Sequence, residues 1–171
     1  TRQIFASQGP TVAPQASFNN EIGLSLTILE ADNDTRYLLL EMGASGPGHI
    51  AYLTDIAPLD VAAVLMVGHA HMGGFGSVEA VARAKSEIIQ GLRSRGVAIL
   101  NADDPRTMAM AELAPGPVFS FSPSGEPANV RADDVVIGPD GRASFTARTA
   151  GASAPVQLQL VGAHHVANAL A

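Results

Sequence analysis

The stretch 61–92, VAAVLMVGHAHMGGFGSVEAVARAKSEIIQGL, leaves few folds open. Val61 to Val67 is an unbroken apolar run of strand length and predicts a strand covered on both faces. Gly68 breaks the run, and His69 and His71 follow in a glycine-rich turn. From Ser77 onward Val78, Val81, Ile88 and Leu92 recur at helical spacing, and Ser77 with Glu79 soon after suits a helix start. Strand, turn and helix in this order is half of a parallel α/β unit.

Lys85 falls on the apolar face of that helix, seven residues after Val78. A lysine there is costly unless it snorkels out, loses its proton or meets a negative partner. Two readings stay open. Either the stem covers apolar surface and the ammonium reaches water, or Lys85 faces the crevice beyond the carboxyl ends of the strands, where ligands bind in such sheets.

The other elements alternate in the same way. Thr1 to Gln8 reads as the tail of a helix stopped by Gly9 and Pro10, and Thr11 to Ala16 as extended. SFNNEIG is a polar loop, and LSLTIL after it suits a helix or a strand. Asn19 and Asn20 serve either as turn residues or as substrate contacts. RYLLLEM, residues 36–42, predicts a second buried strand that ends in Glu41, before the loop GASGPG and a helix over His49 to Ile56. Glu41 either caps the next loop or helix or offers a carboxylate to a metal at a strand end. VAILN predicts a third strand, with Asn101, Asp103 and Asp104 crowding its end and Pro105 opening a helix.

From Ala128 the rhythm becomes antiparallel. VRADDVVIG, ASFTART and VQLQLVG are separated by turns, and Asp140-Gly141 is a strong hairpin signal. The predicted architecture is α/β: a mostly parallel sheet flanked by helices over 1–127, a small antiparallel β appendage over 128–161, and the start of a helix over 162–171.

Composition narrows the function classes. A net charge of −6 over 171 residues argues against a general nucleic-acid binder, and the absence of cysteine removes disulfides, thiolate metal sites and cysteine nucleophiles. No apolar run approaches membrane-spanning length. His69 and His71 lack the further ligand a zinc site needs. His164 and His165 precede a helix, where capping or packing is the plainer role. No GxxxxGK[ST] loop is present, so a nucleotide site complete within these residues is not expected. Glu41 and His71, each just past a strand, suit a hard cation such as Mg²⁺ shared with water and phosphate, with Lys85 neutralising phosphate or, deprotonated, taking up CO₂ as a carbamate.

Taken in order, SFNNEIG, LLLEMGASGPGHIAYLT, VLMVGHAHMGGFGSVEAVARAKSEII, GVAILNADDP and LVGAHHVANALA resemble the central ATP-binding domain of the Mur ligases, nearest the D-alanyl-D-alanine-adding (MurF) type. The resemblance spans nearly the whole chain. It implies a cytoplasmic, ATP-dependent ligase of peptidoglycan synthesis that joins D-Ala-D-Ala to a UDP-MurNAc-peptide through an acyl phosphate. It also implies roles: Glu41, His71 and Lys85 at Mg²⁺, with Lys85 as a carbamate and Lys85 and His71 catalytic; Asn168, His164, His165 and Asn101 toward ATP; Asn19 and Asn20 toward the UDP-sugar peptide.

The sequence departs from the family pattern at Ser25, Met66, His69, Gly74 and His165. The family's P-loop and its flanking amino- and carboxyl-terminal domains lie outside these residues, so this piece alone is expected to be inactive. A degenerate binding module and a folylpolyglutamate-synthase-like ligase are the alternative readings.

Overall fold

The computed structural model describes residues 1–68 and 75–171. His69 and His71 therefore lie outside the described residues, as does Gly74.

Two sheets carry the fold. A short helix α1 (Arg2–Ala6) leads into β1 (Thr11–Val12), which pairs in parallel with β2 (Tyr37–Leu38). Between them lies α2 (Glu21–Leu29), started by Asn20, whose side-chain oxygen accepts from the Gly23 N–H at 2.9 Å. After β2 come α3 (His49–Ile56) and β3 (Leu59–Val64), then α4 (Val78–Gln90) and β4 (Leu92–Asn101). Next are α5 (Pro105–Met108), a 3₁₀ turn (Ala109–Leu113) and β5 (Val118–Ser122). The chain ends with β6 (Val130–Ile137), β7 (Arg142–Arg148), β8 (Ser153–Val161) and α6 (His165–Leu170).

Strands β3 to β8 form one sheet in sequence order, parallel from β3 to β6 and antiparallel from β6 to β8. The predicted antiparallel segment is thus present, and it continues the main sheet through the short pairing of Phe121 with Val130 and Ser122 with Arg131. Asp140 and Gly141 make the expected turn: Gly141 has φ +75°, and the Asp140 carboxylate accepts from the Arg142 N–H.

The main core lies between α4 and the parallel strands, where Val64, Val81, Ile89, Leu100 and Met110 are buried together. Ala132, Ala143, Phe145 and Val166 form a smaller one under α6. Gly91 ends α4, so Leu92 is the first residue of β4 rather than the last of the helix, although it is buried in the same core. No helix among the described residues is long and apolar enough to cross a membrane.

Two strand predictions need correction. Residues 36–42 pair only at Tyr37 and Leu38, and none of the seven is buried, because their sheet partner is the two-residue β1. The run 61–67 is a strand only to Val64, and its expected cover on both faces fails: Val61 is 53% and Met66 56% exposed. Among the described residues β3 has one sheet neighbour, β4, so it is an edge.

Candidate active site

Glu41 and Asn19 come together from opposite sides of α2. The Asn19 Nδ2 donates to Glu41 Oε1 at 3.0 Å, and the Gly43 N–H donates to the Asn19 carbonyl at 2.7 Å. A Cβ on Gly43 would lie 2.9 Å from the Asn19 side-chain carbon, so glycine is what lets the loop close over Asn19. Glu41 is exposed, and its Oε2 carries no hydrogen bond among the described residues. The adjacent Asn20 has its side-chain oxygen committed to capping α2. The two asparagines therefore do different work.

The loop after Glu41 is held from two further sides. The His49 Nε2 lies 3.2 Å from Glu21 Oε2, while its Nδ1 accepts from the Ser45 N–H at 3.3 Å with the Ser45 hydroxyl 2.9 Å away. That pattern puts the proton of neutral His49 on Nε2, facing the carboxylate. Glu21's own backbone N–H and then His49 hold its carboxyl below the ordinary range. From the far side Glu87 on α4 accepts from the N–H groups of Gly48 at 2.7 Å and Ala51 at 3.0 Å.

Lys85 sits one helical turn from both Val81 and Ile89, on the stripe that α4 turns toward the sheet. It is half-buried, and desolvation pushes its pKa down. No carboxylate among the described residues pairs with it. The helix itself is started as predicted, with Ser77 Oγ accepting from the Ala80 N–H at 3.1 Å.

The NADDP motif stitches the carboxyl ends of three parallel strands. Asn101 Nδ2 donates to the Leu65 carbonyl at 2.8 Å while its Oδ1 accepts from the Asp103 N–H. Asp104 caps α5 through Oδ1 and takes the Val67 N–H with Oδ2 at 2.7 Å. Asp103 accepts from the Ser122 hydroxyl and the Ser124 N–H beyond β5. Asn101 is buried, and both ends of its carboxamide are occupied within the protein.

At the start of α6, His164 and His165 lie with ring centroids 4.1 Å apart, and the Asn168 carboxamide nitrogen is 3.2 Å from His165 Nδ1. His164 and Asn168 are exposed, so this trio presents polar ring and amide edges outward. Glu21, His49, Glu87, Asp103 and Asp104 are not picked out as site residues by the sequence reading. One signal existed: α3 begins directly after Pro47-Gly48, with no Ser, Thr, Asp or Asn to cap it, so its first N–H groups have no local side-chain acceptor.

A hard cation fits these residues only as a shared one. Among the described residues no three His, Asp or Glu side chains converge, and Glu41 Oε2 is an available oxygen donor. Such a site suits Mg²⁺, which keeps waters and phosphate oxygens and needs few carboxylates.

Comparison with known proteins gives these features a family. The family model "Mur ligase middle domain" matches residues 1–171. The UDP-N-acetylmuramoyl-tripeptide–D-alanyl-D-alanine ligase of Mycobacterium leprae is 46% identical over 173 residues, covering 95% of this chain and 33% of that protein. The Escherichia coli ligase of the same name is 34% identical over 172 residues, covering 100% and 38%. Among solved structures, MurF from Acinetobacter baumannii superposes with a TM-score of 0.90 at 34% identity over 98% of this chain and 36% of that one. MurF from Thermotoga maritima, in complex with ADP, gives 0.82 at 28% identity over 97% and 38%. The chain thus spans well under half the length of these relatives. By the match along its whole length and the agreement in fold, it belongs to the Mur ligase family, as a middle domain.

Proposed function

We propose that this chain is the nucleotide-handling middle domain of an ATP-dependent ligase that joins D-alanyl-D-alanine to a UDP-MurNAc-tripeptide. The observation that carries the reading is Glu41, held by Asn19 with one carboxylate oxygen open, on a loop tied by Glu87 to the helix that bears Lys85. Names of the relatives supply the substrates.

In this reaction the tripeptide carboxylate takes the terminal phosphoryl group of ATP, giving an acyl phosphate and ADP. The dipeptide amine then attacks the acyl carbon, phosphate leaves, and an amide remains. Bound Mg²⁺ would offset charge on the phosphoryl oxygens. Glu41 Oε2 is the described oxygen that would hold it, with His71 as a second ligand on the resemblance. Asn19 fixes the Glu41 rotamer, so that its free oxygen keeps one direction.

Lys85 works through its unusual environment. Desolvation favours the neutral amine, and a neutral amine adds CO₂ to give a carbamate and release one proton. The product is an anion on a helix already packed against the sheet. His164, His165 and Asn168 offer the polar edges expected near an adenine, and Asn19 and Asn20 lie in the loop expected near the UDP-sugar peptide.

The test is phosphate release by the full-length ligase that carries this domain. Release should require ATP, the UDP-MurNAc-tripeptide and D-Ala-D-Ala together. Release with glutamate and a folate in place of the last two would replace this reading with the folylpolyglutamate one.

A further inference from the structure

Helix α3 starts without a cap of its own. Its N-cap is Gly48, in the left-handed conformation at φ +81°, and a glycine has no side chain to accept from the exposed N–H groups. Glu87 supplies that acceptor from 36 to 39 residues away, one oxygen to Gly48 and the other to Ala51. An anionic acceptor also suits the positive end of the helix dipole. Both carboxylate oxygens are spent on backbone.

The two ends of this tie matter to the site. Glu87 lies two residues beyond Lys85, on a helix whose Ala84 and Ile89 are buried. Gly48 ends the loop that begins at Glu41, whose near end is held by Asn19. A second close approach fixes the same pair of helices: a Cβ on Gly91 would overlap the Thr54 side chain, so α4 and α3 touch directly there. Among the described residues, Glu87 is the polar side chain on α4 that bonds this loop.

We infer that Glu87 is a positioning residue, which holds the Glu41 loop in register with the lysine helix. It does not touch the reacting atoms. The inference rests on the ligase reading above and extends it to a residue outside the expected ligand set. Loss of Glu87 would let the loop's far end drift, so that Glu41 and Lys85 no longer address one phosphate group together.

The test uses the full-length ligase with Glu87→Ala and Glu87→Gln. Glutamine keeps one acceptor oxygen and presents an NH₂ where the second was, so it should retain one of the two bonds. Binding of Mn²⁺·ATP, followed by equilibrium dialysis of the nucleotide at saturating Mn²⁺, should weaken about tenfold or more in Glu87→Ala and by less in Glu87→Gln. The KM for D-Ala-D-Ala should stay within about twofold, a split that a general loss of folded enzyme would not produce.

Unchanged Mn²⁺·ATP binding by folded Glu87→Ala, with the unsubstituted enzyme binding normally, would overturn the proposal alone. If Glu87→Ala does not fold, Glu87→Gln decides, and wild-type binding by it overturns the proposal. No Mn²⁺·ATP binding by the unsubstituted enzyme would sink the ligase reading and this inference together.

Discussion

The six-stranded sheet and the two-stranded pair β1–β2 are held together by different means. From β3 to β8 every strand is laddered to the next, with register shifts in three of the pairings, and buried side chains of α4 and α6 close over them. Around β1 and β2 there are two ladder pairs. There the work falls to side chains: Asn19 on Glu41, Asn20 on α2, His49 between Ser45 and Glu21, and Glu87 on α3. The candidate site draws on both: Asn19, Asn20 and Glu41 belong to this second region, while Lys85, Asn101, His164, His165 and Asn168 belong to the first. Polar ties fix individual atoms more selectively than a ladder does, and each can be removed without opening a core.

If that contrast holds, the largest stability loss should come from crowding the ladder region. A Cβ on Gly116 would overlap the Gly96 carbonyl, backbone against backbone, where β4 and β5 approach. Gly116→Ala should therefore cost about 2–3 kcal/mol, seen as a melting temperature lower by about 5–10 °C. A wild-type melting curve would mean that the strands can part there easily, and the contrast would break.

A smaller effect of opposite sign is expected on α4. Lys85→Met keeps the stem's bulk and removes a desolvated ammonium, so it should raise the melting temperature at pH 7 while abolishing turnover in the full-length ligase. The pH dependence has a definite sign. Because the folded pKa lies below the unfolded one, the unfolded chain binds more protons between the two, and stability rises with pH through that window up to about pH 10. Lys85→Met should flatten that rise; an unaltered slope in melting temperature against pH would remove the argument for a desolvated lysine.

The smallest effect belongs to the outer face of β6 and β7. Arg131 and Arg148 are directly opposed across the strands, and Asp133 accepts from the Nε of both, at 2.9 and 2.6 Å. Arg148, and then Arg131, hold the Asp133 carboxyl below its ordinary range. Its contribution is present above the unfolded carboxylate pKa, about 3.9, and is lost as pH falls through the lower folded value. Asp133→Asn should accordingly lower the melting temperature slightly at pH 7 and make the acid fall-off below about pH 4 shallower, the two profiles meeting at low pH. An acid profile that matches the wild type would show that the triad adds nothing to the ladder.

Much of this fold is legible in the residues themselves because the signals are local. Ser77 caps α4, Pro105 opens α5, and Asp140-Gly141 turns the hairpin, each as the local sequence predicts. Lys85 on an apolar stripe is likewise visible from periodicity, and its lowered pKa follows from that placement. What could not be read depends on groups far apart in sequence. Glu87 reads as one more acid on a helix until α3 is seen to start at it. Asn19 and Asn20 are indistinguishable as letters, yet one orients a carboxylate and the other caps a helix, because capping depends on backbone direction. Asn101, expected toward the nucleotide, also ties Leu65 to Asp103 across two strand ends, a link that its position in the sequence does not show. The two apolar runs expected as fully covered strands fail for another reason: burial of a strand depends on what lies beside it, which a run of apolar letters does not record.

Above all, Glu41 should serve the chemistry and not the fold. The deciding measurement is phosphate release by the full-length ligase bearing Glu41→Ala, with ATP, UDP-MurNAc-tripeptide and D-Ala-D-Ala all present and the melting temperature taken on the same sample. Turnover should fall on the order of a hundredfold or more, with melting within about 2 °C of the wild type. Wild-type turnover from the folded variant would contradict this role for Glu41.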